Sequence, residues 1–372
     1  MKFKIQRTVL LNNLNKVSRA VSNKSPLPIL SGIKFEVLDQ GLVLTGSDSD
    51  ITIQTFIEAK EGVLDIIKTG SVVLSNRYIS EIVRKIDSNE VTFEILDGQL
   101  TRISGSGSEF NLNGTKSIDY PRIDLSKTGE HFDMNSLIFK KVIEQTTFAT
   151  SDKETRPALT GVNFKTDGDV IECIATDSYR LSKKIIPGPE GILFNITIPG
   201  KSLTEVARII ENDCLIDFYI TDRKVLFCFD NVTIQTRLID GTFPNTSRLI
   251  PSEFNYTLNI DSREFLGAID RASLFAEEET NHVVKLSLSK DNCILSSFSQ
   301  EVGSVEENLS SALFDGNDLV ISFSAKYLIE AIRAISSEKI TIRFTQEMAP
   351  FVVTNKNDNS IIELLLPVRT YN

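Results

Sequence analysis

The chain repeats itself three times, and that repetition limits its architecture more than any single motif does. Leu30-Ser31-Gly32-Ile33-Lys34-Phe35 reappears as Leu159-Thr160-Gly161-Val162-Asn163-Phe164, 129 residues on. A weaker third copy, Asn281-His282-Val283-Val284-Lys285-Leu286, follows after a further 122. The next segment keeps the same spacing: Thr45-Gly46-Ser47-Asp48-Ser49-Asp50 falls on Ile174-Ala175-Thr176-Asp177-Ser178-Tyr179 and then on residues 296–301. Later in each unit, Arg77-Tyr78-Ile79, Lys201-Ser202-Leu203 and Lys326-Tyr327-Leu328 stand 124 and 125 apart. These collinear matches predict three homologous domains, at residues 1–127, 128–252 and 253–372. The Pro-bearing polar stretches Asp119-Tyr120-Pro121-Arg122 and Phe243-Pro244-Asn245-Thr246 close the first two.

Within a unit the apolar period switches between two values. Val9, Leu10, Leu14, Val17 and Val21 recur at helical intervals, as do Ile79, Ile82, Val83 and Ile86. Ser75 and Ser324 precede such helices as expected N-caps. Between the helices lie short β-branched or alternating runs, such as Ile33–Leu38, Leu42–Thr45, Ile51–Ile57, Val91–Leu96 and Phe110–Leu112. Each unit thus holds two helices, each followed by antiparallel strands. That predicts an α+β fold of three homologous repeats with helices packed on one face of antiparallel sheets.

Charge is unevenly distributed over these elements. The whole chain has 40 Lys and Arg against 50 Asp and Glu, a net charge of −10, which disfavours a simple basic nucleic-acid binder. Yet the six predicted helices, residues 10–22, 75–86, 135–148, 201–210, 262–275 and 324–335, carry 13 basic and 6 acidic residues. Arg84, Arg208 and Arg333 share one repeat position, and Arg77, Lys201 and Lys326 share another. Basic residues on a single helix are ordinary solvated charge. Repetition at two matched positions in three units points instead to a shared positive surface that follows duplex phosphates without reading bases.

Most other chemistry is excluded early. His occurs twice, as His131 and His282, and neither has a nucleophile beside it, so His-based catalysis is not expected. Cys173, Cys214, Cys228 and Cys293 form no CxxC pair and read as buried free thiols of a reducing compartment. Gly105-Ser106-Gly107-Ser108 lacks the last glycine of a dinucleotide fingerprint and reads as a turn at a strand end. Asp48-Ser49-Asp50 reads as a polar β-turn rather than a cation site, and Glu277-Glu278-Glu279 as a solvated loop. No stretch of 18 apolar residues predicts a membrane span, and the start lacks the apolar core of a signal peptide. Composition and repeats alone leave two readings open: a duplex-binding surface, or a repeat-built protein-interaction module that never touches nucleic acid. An enzyme assembled around Asp48, Asp50 and Asp177 is a third, and no enzyme motif supports it.

Several blocks then resemble one family. They are Leu27-Pro28-Ile29-Leu30, Arg156-Pro157-Ala158-Leu159-Thr160-Gly161-Val162, Ala175-Thr176-Asp177-Ser178-Tyr179-Arg180-Leu181, Ile239-Asp240-Gly241-Thr242-Phe243-Pro244 with Arg248, and Leu365-Leu366-Pro367-Val368-Arg369-Thr370-Tyr371. Across essentially its whole length the chain resembles the bacterial DNA sliding clamps, the beta subunits of DNA polymerase III. The resemblance implies the DNA clamp fold and a head-to-tail homodimer closed into a dimeric ring around double-stranded DNA, with twelve helices lining the hole. It implies a cytoplasmic processivity factor without an active site or cofactor, which tethers the DNA polymerase III alpha subunit, the clamp loader and other clamp-binding-motif proteins, with no membrane contact.

The same resemblance assigns residues to surfaces. A hydrophobic partner-peptide cleft would comprise Leu159, Thr176, Ser178, Tyr179, Arg180, Leu181, Pro244, Arg248, Leu249, Leu366, Pro367, Val368 and Arg369, with Arg180 and Arg369 holding polar groups at its rim. Lys24, Arg84, Arg156, Lys201, Arg208 and Arg333 would face DNA. Phe110 and Leu112 would meet Leu274 and Phe275 of a neighbouring subunit, and Arg77 would pair there with Glu301, Glu306 or Glu307. Two departures stand out. Ala276-Glu277-Glu278-Glu279-Thr280-Asn281 is acidic where family members often carry basic residues, and Ser178-Tyr179 replaces the Gly-His sometimes found in the motif.

Overall fold

Every α-helix among the described residues follows directly on a strand. Lys2–Gln6 leads into α1 (Arg7–Val17), Gly70–Ser75 into α2 (Asn76–Lys85) and Glu130–Asn135 into α3 (Ser136–Thr146). Phe194–Pro199 leads into α4 (Gly200–Ile209), Tyr256–Asp261 into α5 (Ser262–Ser273) and Leu319–Ser324 into α6 (Ala325–Ile335). The computed structural model describes residues 1–22, 25, 27–276 and 282–369. The six expected helices are present, though α1 begins earlier than expected and passes into a 3-10 turn at Ser18–Ala20. The strand before each helix was not expected, because five or six residues carry too little periodicity to read alone.

Side chains at these strand ends start several helices. Asn135 Oδ1 accepts the N–H groups of Leu137 at 3.0 Å and Ile138 at 3.2 Å, opening α3. Asp261 Oδ1 accepts those of Arg263 at 2.9 Å and Glu264 at 3.0 Å, opening α5. Ser324 caps α6 through the Tyr327 N–H, as expected. Ser75 ends its strand as Asp261 and Ser324 end theirs, but its hydroxyl makes no cap bond to α2.

The chain divides into two compact units, residues 1–139 with 202–238, and residues 140–201 with 239–372. In the first, one sheet has five strands in the order Leu64–Lys68, Lys2–Gln6, Glu90–Ile95, Leu100–Gly105, Ser108–Asn113. The other has eight: Glu130–Asn135, Leu215–Ile220, Lys224–Phe229, Val232–Arg237, Ile51–Glu58, Gly41–Ser47, Gly32–Leu38, Gly70–Ser75. Its centre is the antiparallel pairing of Val232–Arg237 with Ile51–Glu58, from Val232 opposite Thr55 to Thr236 opposite Ile51. α1 buries Leu10, Leu14 and Val17, and α2 buries Ile79 and Val83. Phe3 and Phe93 stack at 4.8 Å under the five-stranded sheet. Phe132, Phe139, Phe218 and Phe227 form a second aromatic cluster.

In the second unit, nine strands run Phe194–Pro199, Gly161–Thr166, Val170–Thr176, Arg180–Pro187, Asp358–Leu365, Phe351–Asn355, Lys339–Phe344, Tyr256–Asp261, Leu313–Asp315. A four-stranded sheet runs Gly303–Asn308, Cys293–Ser299, Val283–Leu288, Leu319–Ser324. α5 and α6 bury Phe265, Ile269, Leu328 and Ile332 in one core with Phe323, Phe344 and Phe351. Burying such a side chain contributes about 1.5–3 kcal/mol.

Smaller expectations also meet the structure here. Cys173, Cys228 and Cys293 are buried free thiols, and burial pushes all three up from the ordinary thiol range; Cys214 is free and half-buried. Ser106 and Gly107 form the turn between Leu100–Gly105 and Ser108–Asn113, both with positive φ. The Asp48 carboxylate is occupied by its own turn, accepting the N–H groups of Asp50 and Ile51. No helix among the described residues is long and apolar enough to cross a membrane.

Candidate peptide cleft and nucleic-acid interface

The expected cleft residues all lie in the second unit, and a short loop organises them. Strands Val170–Thr176 and Arg180–Pro187 are joined by Asp177, Ser178 and Tyr179. Asp177 Oδ1 accepts the N–H groups of Tyr179 at 2.9 Å and Arg180 at 3.0 Å. Thr176 Oγ1 donates to the Arg180 carbonyl at 2.6 Å and accepts the Ser178 N–H at 3.2 Å. These bonds hold Ser178 at φ 80°, in the left-handed region, and aim consecutive side chains in opposite directions. Tyr179 is 57% exposed, whereas Arg180 is turned inward.

Arg180 is therefore not at a rim. It is 8% exposed, with Nε 3.0 Å from Asp177 Oδ2, Nη1 on the Glu330 carboxylate of α6 and Nη2 on the Phe148 carbonyl. Its guanidinium lies 4.4 Å from the Tyr327 ring centre and 5.1 Å from that of Phe148. A buried guanidinium must find acceptors for its donors, and this one has found them inside the fold, so it ties the loop down. Arg369 is exposed, as a rim residue needs to be.

The remaining residues separate into floor and surface. Leu159, Thr176 and Leu181 are buried. Leu181 belongs to an apolar cluster with Ile174, Val352 and Leu364, on which Phe243, Ile250 and Phe254 pack. Those three anchor the segment carrying Pro244, Arg248 and Leu249, all exposed. The Leu366 N–H donates to the Tyr179 carbonyl at 2.9 Å, which ties the C-terminal segment to the loop. Leu366 stays exposed, and Pro367 and Val368 are half-buried. Glu330, Tyr327 and Phe148, which cage Arg180, were not expected from sequence. One signal for Glu330 existed, since it repeats Glu81 and Glu205 three residues before a matched arginine.

The basic positions expected to face DNA are exposed wherever they are described: Arg84, Arg156, Lys201, Arg208 and Arg333. Lys24 lies outside the described residues, as does the acidic stretch 277–281. In α2, α4 and α6 the two matched basic residues are seven apart, which places them about 10 Å apart on one helix stripe. Arg84 and Arg208 pair with Glu81 and Glu205 one turn earlier. In α6 the matching Glu330 is drawn to Arg180 instead. Such exposed pairs are worth little and yield readily to phosphate.

Two sheet edges carry the residues expected at a subunit contact. In the first unit, Phe110 and Leu112 sit half-buried on one face of the edge strand Ser108–Asn113, and Arg77 is exposed. In the second, Gly303–Asn308 is an edge strand, joined to α5 by the bidentate pair of Arg271 with Glu307 at 2.8 and 2.6 Å. Glu307 is thus engaged within its own unit, while among the described residues Glu301 and Glu306 have no ion-pair partner. Leu274, just past α5, is 75% exposed and Phe275 half-buried.

Repeated strand–helix modules on antiparallel sheets, with basic helix stripes at matched positions, define the DNA clamp fold. The family models agree along the chain: the N-terminal domain of the DNA polymerase III beta subunit matches residues 1–124, the central domain 133–245 and the C-terminal domain 247–369. The chain is 43% identical to the beta sliding clamp of Bacillus subtilis, over 100% of both chains. It superimposes on the crystal structure of a DNA polymerase sliding clamp from Bacillus subtilis with a TM-score of 0.96, at 42% identity and 100% coverage of both. It matches DNA polymerase III beta chain from Streptococcus pneumoniae with a TM-score of 0.95 and 32% identity, covering 99% of this chain and 100% of that one. The chain belongs to the DNA polymerase III beta subunit family. Its role in DNA replication is accordingly that of a clamp.

Proposed function

We propose that two copies of this chain close head to tail into a ring that encircles double-stranded DNA, slides on it without sequence preference and tethers the replicative polymerase. The observation that carries this reading is the exposed arginine repeated as Arg84, Arg208 and Arg333 on α2, α4 and α6 in a chain of net charge −10. Weak phosphate contacts from a repeated stripe allow sliding, because each exchanges with counterions and none reads a base. An acidic remainder discourages DNA from binding elsewhere. The three repeats serve as the domains 1–127, 128–252 and 253–372. Ring closure joins the edge strand holding Phe110 and Leu112 to the region of Leu274 and Phe275 in the other copy, with Arg77 facing Glu301 or Glu306.

In this reading the surface made by Tyr179, Pro244, Leu249 and Leu366 over the buried Leu159 and Leu181 receives short peptides with Leu or Phe anchors. The polymerase III alpha subunit, the clamp loader and other partners would compete for it. The protein acts in the cytoplasm as an accessory subunit and performs no chemistry itself. The test is retention on nicked circular DNA after loading by a matching clamp loader. Survival at high salt on the circle, lost on linearisation, is the expected result. Loss from both forms at moderate salt means ordinary electrostatic binding and overturns the ring.

A further inference from the structure

The first unit contains a second copy of the cleft framework, rebuilt with charge. Its loop 47–51 repeats loop 176–180 almost bond for bond. Asp48 Oδ1 accepts the N–H groups of Asp50 at 3.0 Å and Ile51 at 2.9 Å, Ser49 sits at φ 87°, and Ser47 Oγ donates to the Ile51 carbonyl at 3.2 Å. The 3-10 turn Pro28–Ser31 buries Leu30 as Pro157–Thr160 buries Leu159. The Arg237 N–H donates to the Asp50 carbonyl at 3.0 Å, as that of Leu366 does to Tyr179 at 2.9 Å. Only the side chains have changed: Asp50 stands in the place of Tyr179, Ile51 in that of Arg180, and Arg237 in that of Leu366.

Beside this framework lies a cavity of about 710 Å³, walled by Leu27, Leu30, Pro121, Arg122, Arg223 and Arg237. Its lining carries four basic residues, Arg122, Arg223, Lys224 and Arg237, against two acidic ones, Asp124 and Asp222. Lys224 is held by Asp124 at 2.9 Å, and Arg237 reaches only the exposed Asp50, at 4.0 Å. Among the described residues, no ion pair or hydrogen bond engages the guanidinium of Arg122 or Arg223, though the Arg223 backbone N–H donates to Thr221 Oγ1 at 3.5 Å. Gln235, also on the wall, has an Oε1 without a hydrogen-bond partner. Guanidinium groups left free beside apolar walls fit carboxylates on a chain that also carries apolar side chains. No aromatic ring lines the cavity, so it offers a nucleic-acid strand nothing on which to stack its bases.

We propose that this cavity is a docking site for a short, extended acidic peptide. Arg122, Arg223 and Arg237 hold its carboxylates, and Leu27 and Pro121 receive an apolar side chain between them. That the occupant is a peptide rests on the cleft proposed above; that it is anionic rests on the arginines alone.

The test is fluorescence anisotropy on the full chain with a labelled octapeptide alternating Asp and Leu. A Lys and Leu counterpart, a short oligothymidylate and a neutral Leu and Phe peptide serve as comparisons. The variants are the double Arg122→Glu, Arg223→Glu and the milder Arg122→Gln, Arg223→Gln, each checked for folding by circular dichroism. The acidic peptide is expected to bind about tenfold more weakly to the Glu pair and less weakly to the Gln pair, with the Leu and Phe peptide unaffected by both. Acidic-peptide binding that neither pair alters, or that the Lys and Leu peptide equals, overturns the proposal. So does oligothymidylate binding that both pairs abolish and the acidic peptide fails to compete away. If the Leu and Phe peptide binds nowhere while the acidic one behaves as expected, the cleft reading falls and this one stands.

Discussion

Arg180 and Glu363 lie near each other in the nine-stranded sheet, and each is buried in a state its chemistry resists. Arg180 keeps its charge because Asp177, Glu330 and the Phe148 carbonyl take up its donors. Arg180→Met removes the cation but leaves Asp177 and Glu330 without it, so a loss of about 3 kcal/mol is expected in urea unfolding. Peptide affinity should fall with it, since Tyr179 is the next residue on the loop. Glu363 takes the other course. Ser182 Oγ lies 2.6 Å from the Gln145 carbonyl and 2.9 Å from Glu363 Oε1. Ser182 has one proton for these two acceptors, so its hydroxyl donates to the Gln145 carbonyl or to Glu363 Oε1, and only partly offsets the cost of burying the carboxylate. Burial pushes the Glu363 carboxyl well above its ordinary value of 4.5, against the opposing pull of Ser182 and Arg180. Above that ordinary value the unfolded chain has released the proton and the folded one still holds it, so stability falls as pH rises. Glu363→Gln keeps a carbonyl oxygen to accept from Ser182 and removes the titration. Its melting temperature relative to the parent should climb as pH rises above 4.5, and parallel curves would refute the raised Glu363 carboxyl.

At the scale of the element, a strand feeding straight into a helix makes the capping residue part of a sheet. Asp261 both ends Tyr256–Asp261 and opens α5, so Asp261→Ala should cost about 1 kcal/mol, read as a lower urea midpoint with an unchanged slope. Ser75→Ala should cost much less, since that hydroxyl caps nothing. Much of this layer was legible in the sequence. The expected run Ile51–Ile57 is the strand Ile51–Glu58, and Val91–Leu96 is Glu90–Ile95. Periodicity reveals that a strand exists and which face is apolar, but not which strand it pairs with. Hence the pairing of Val232–Arg237 with Ile51–Glu58, and of Asp358–Leu365 with Arg180–Pro187, was not readable, although each builds a framework of interest. The inward turn of Arg180 was hidden for a related reason. Its partners Phe148 and Glu330 come from segments 32 and 150 residues away, and a lone arginine in a sequence reads as surface.

For the whole molecule, the proposed ring turns on two exposed sheet edges that would otherwise be a liability. An edge strand with unpaired N–H and C=O groups and apolar side chains invites association, and proteins usually blunt such edges with charge or cover them. Ser108–Asn113 has one acidic residue, Glu109, and points Phe110 and Leu112 to one face. Gly303–Asn308 carries Glu306 and Glu307, next to the 75% exposed Leu274. A closed head-to-tail dimer covers both edges twice, and a dissociated chain leaves all of them in water. Removing the apolar anchors should therefore act on assembly before stability. Truncating Phe110 and Leu274 together to Ala is expected to raise the dimer dissociation constant at least a hundredfold, about 2.7 kcal/mol, by sedimentation at micromolar concentration. The same variant should keep its circular dichroism spectrum, because neither side chain is fully buried within its own unit. It should also lose retention on circular DNA while still binding a Leu and Phe peptide. A variant that stays dimeric would place the subunit contact elsewhere, and one that unfolds would make these side chains core residues rather than anchors.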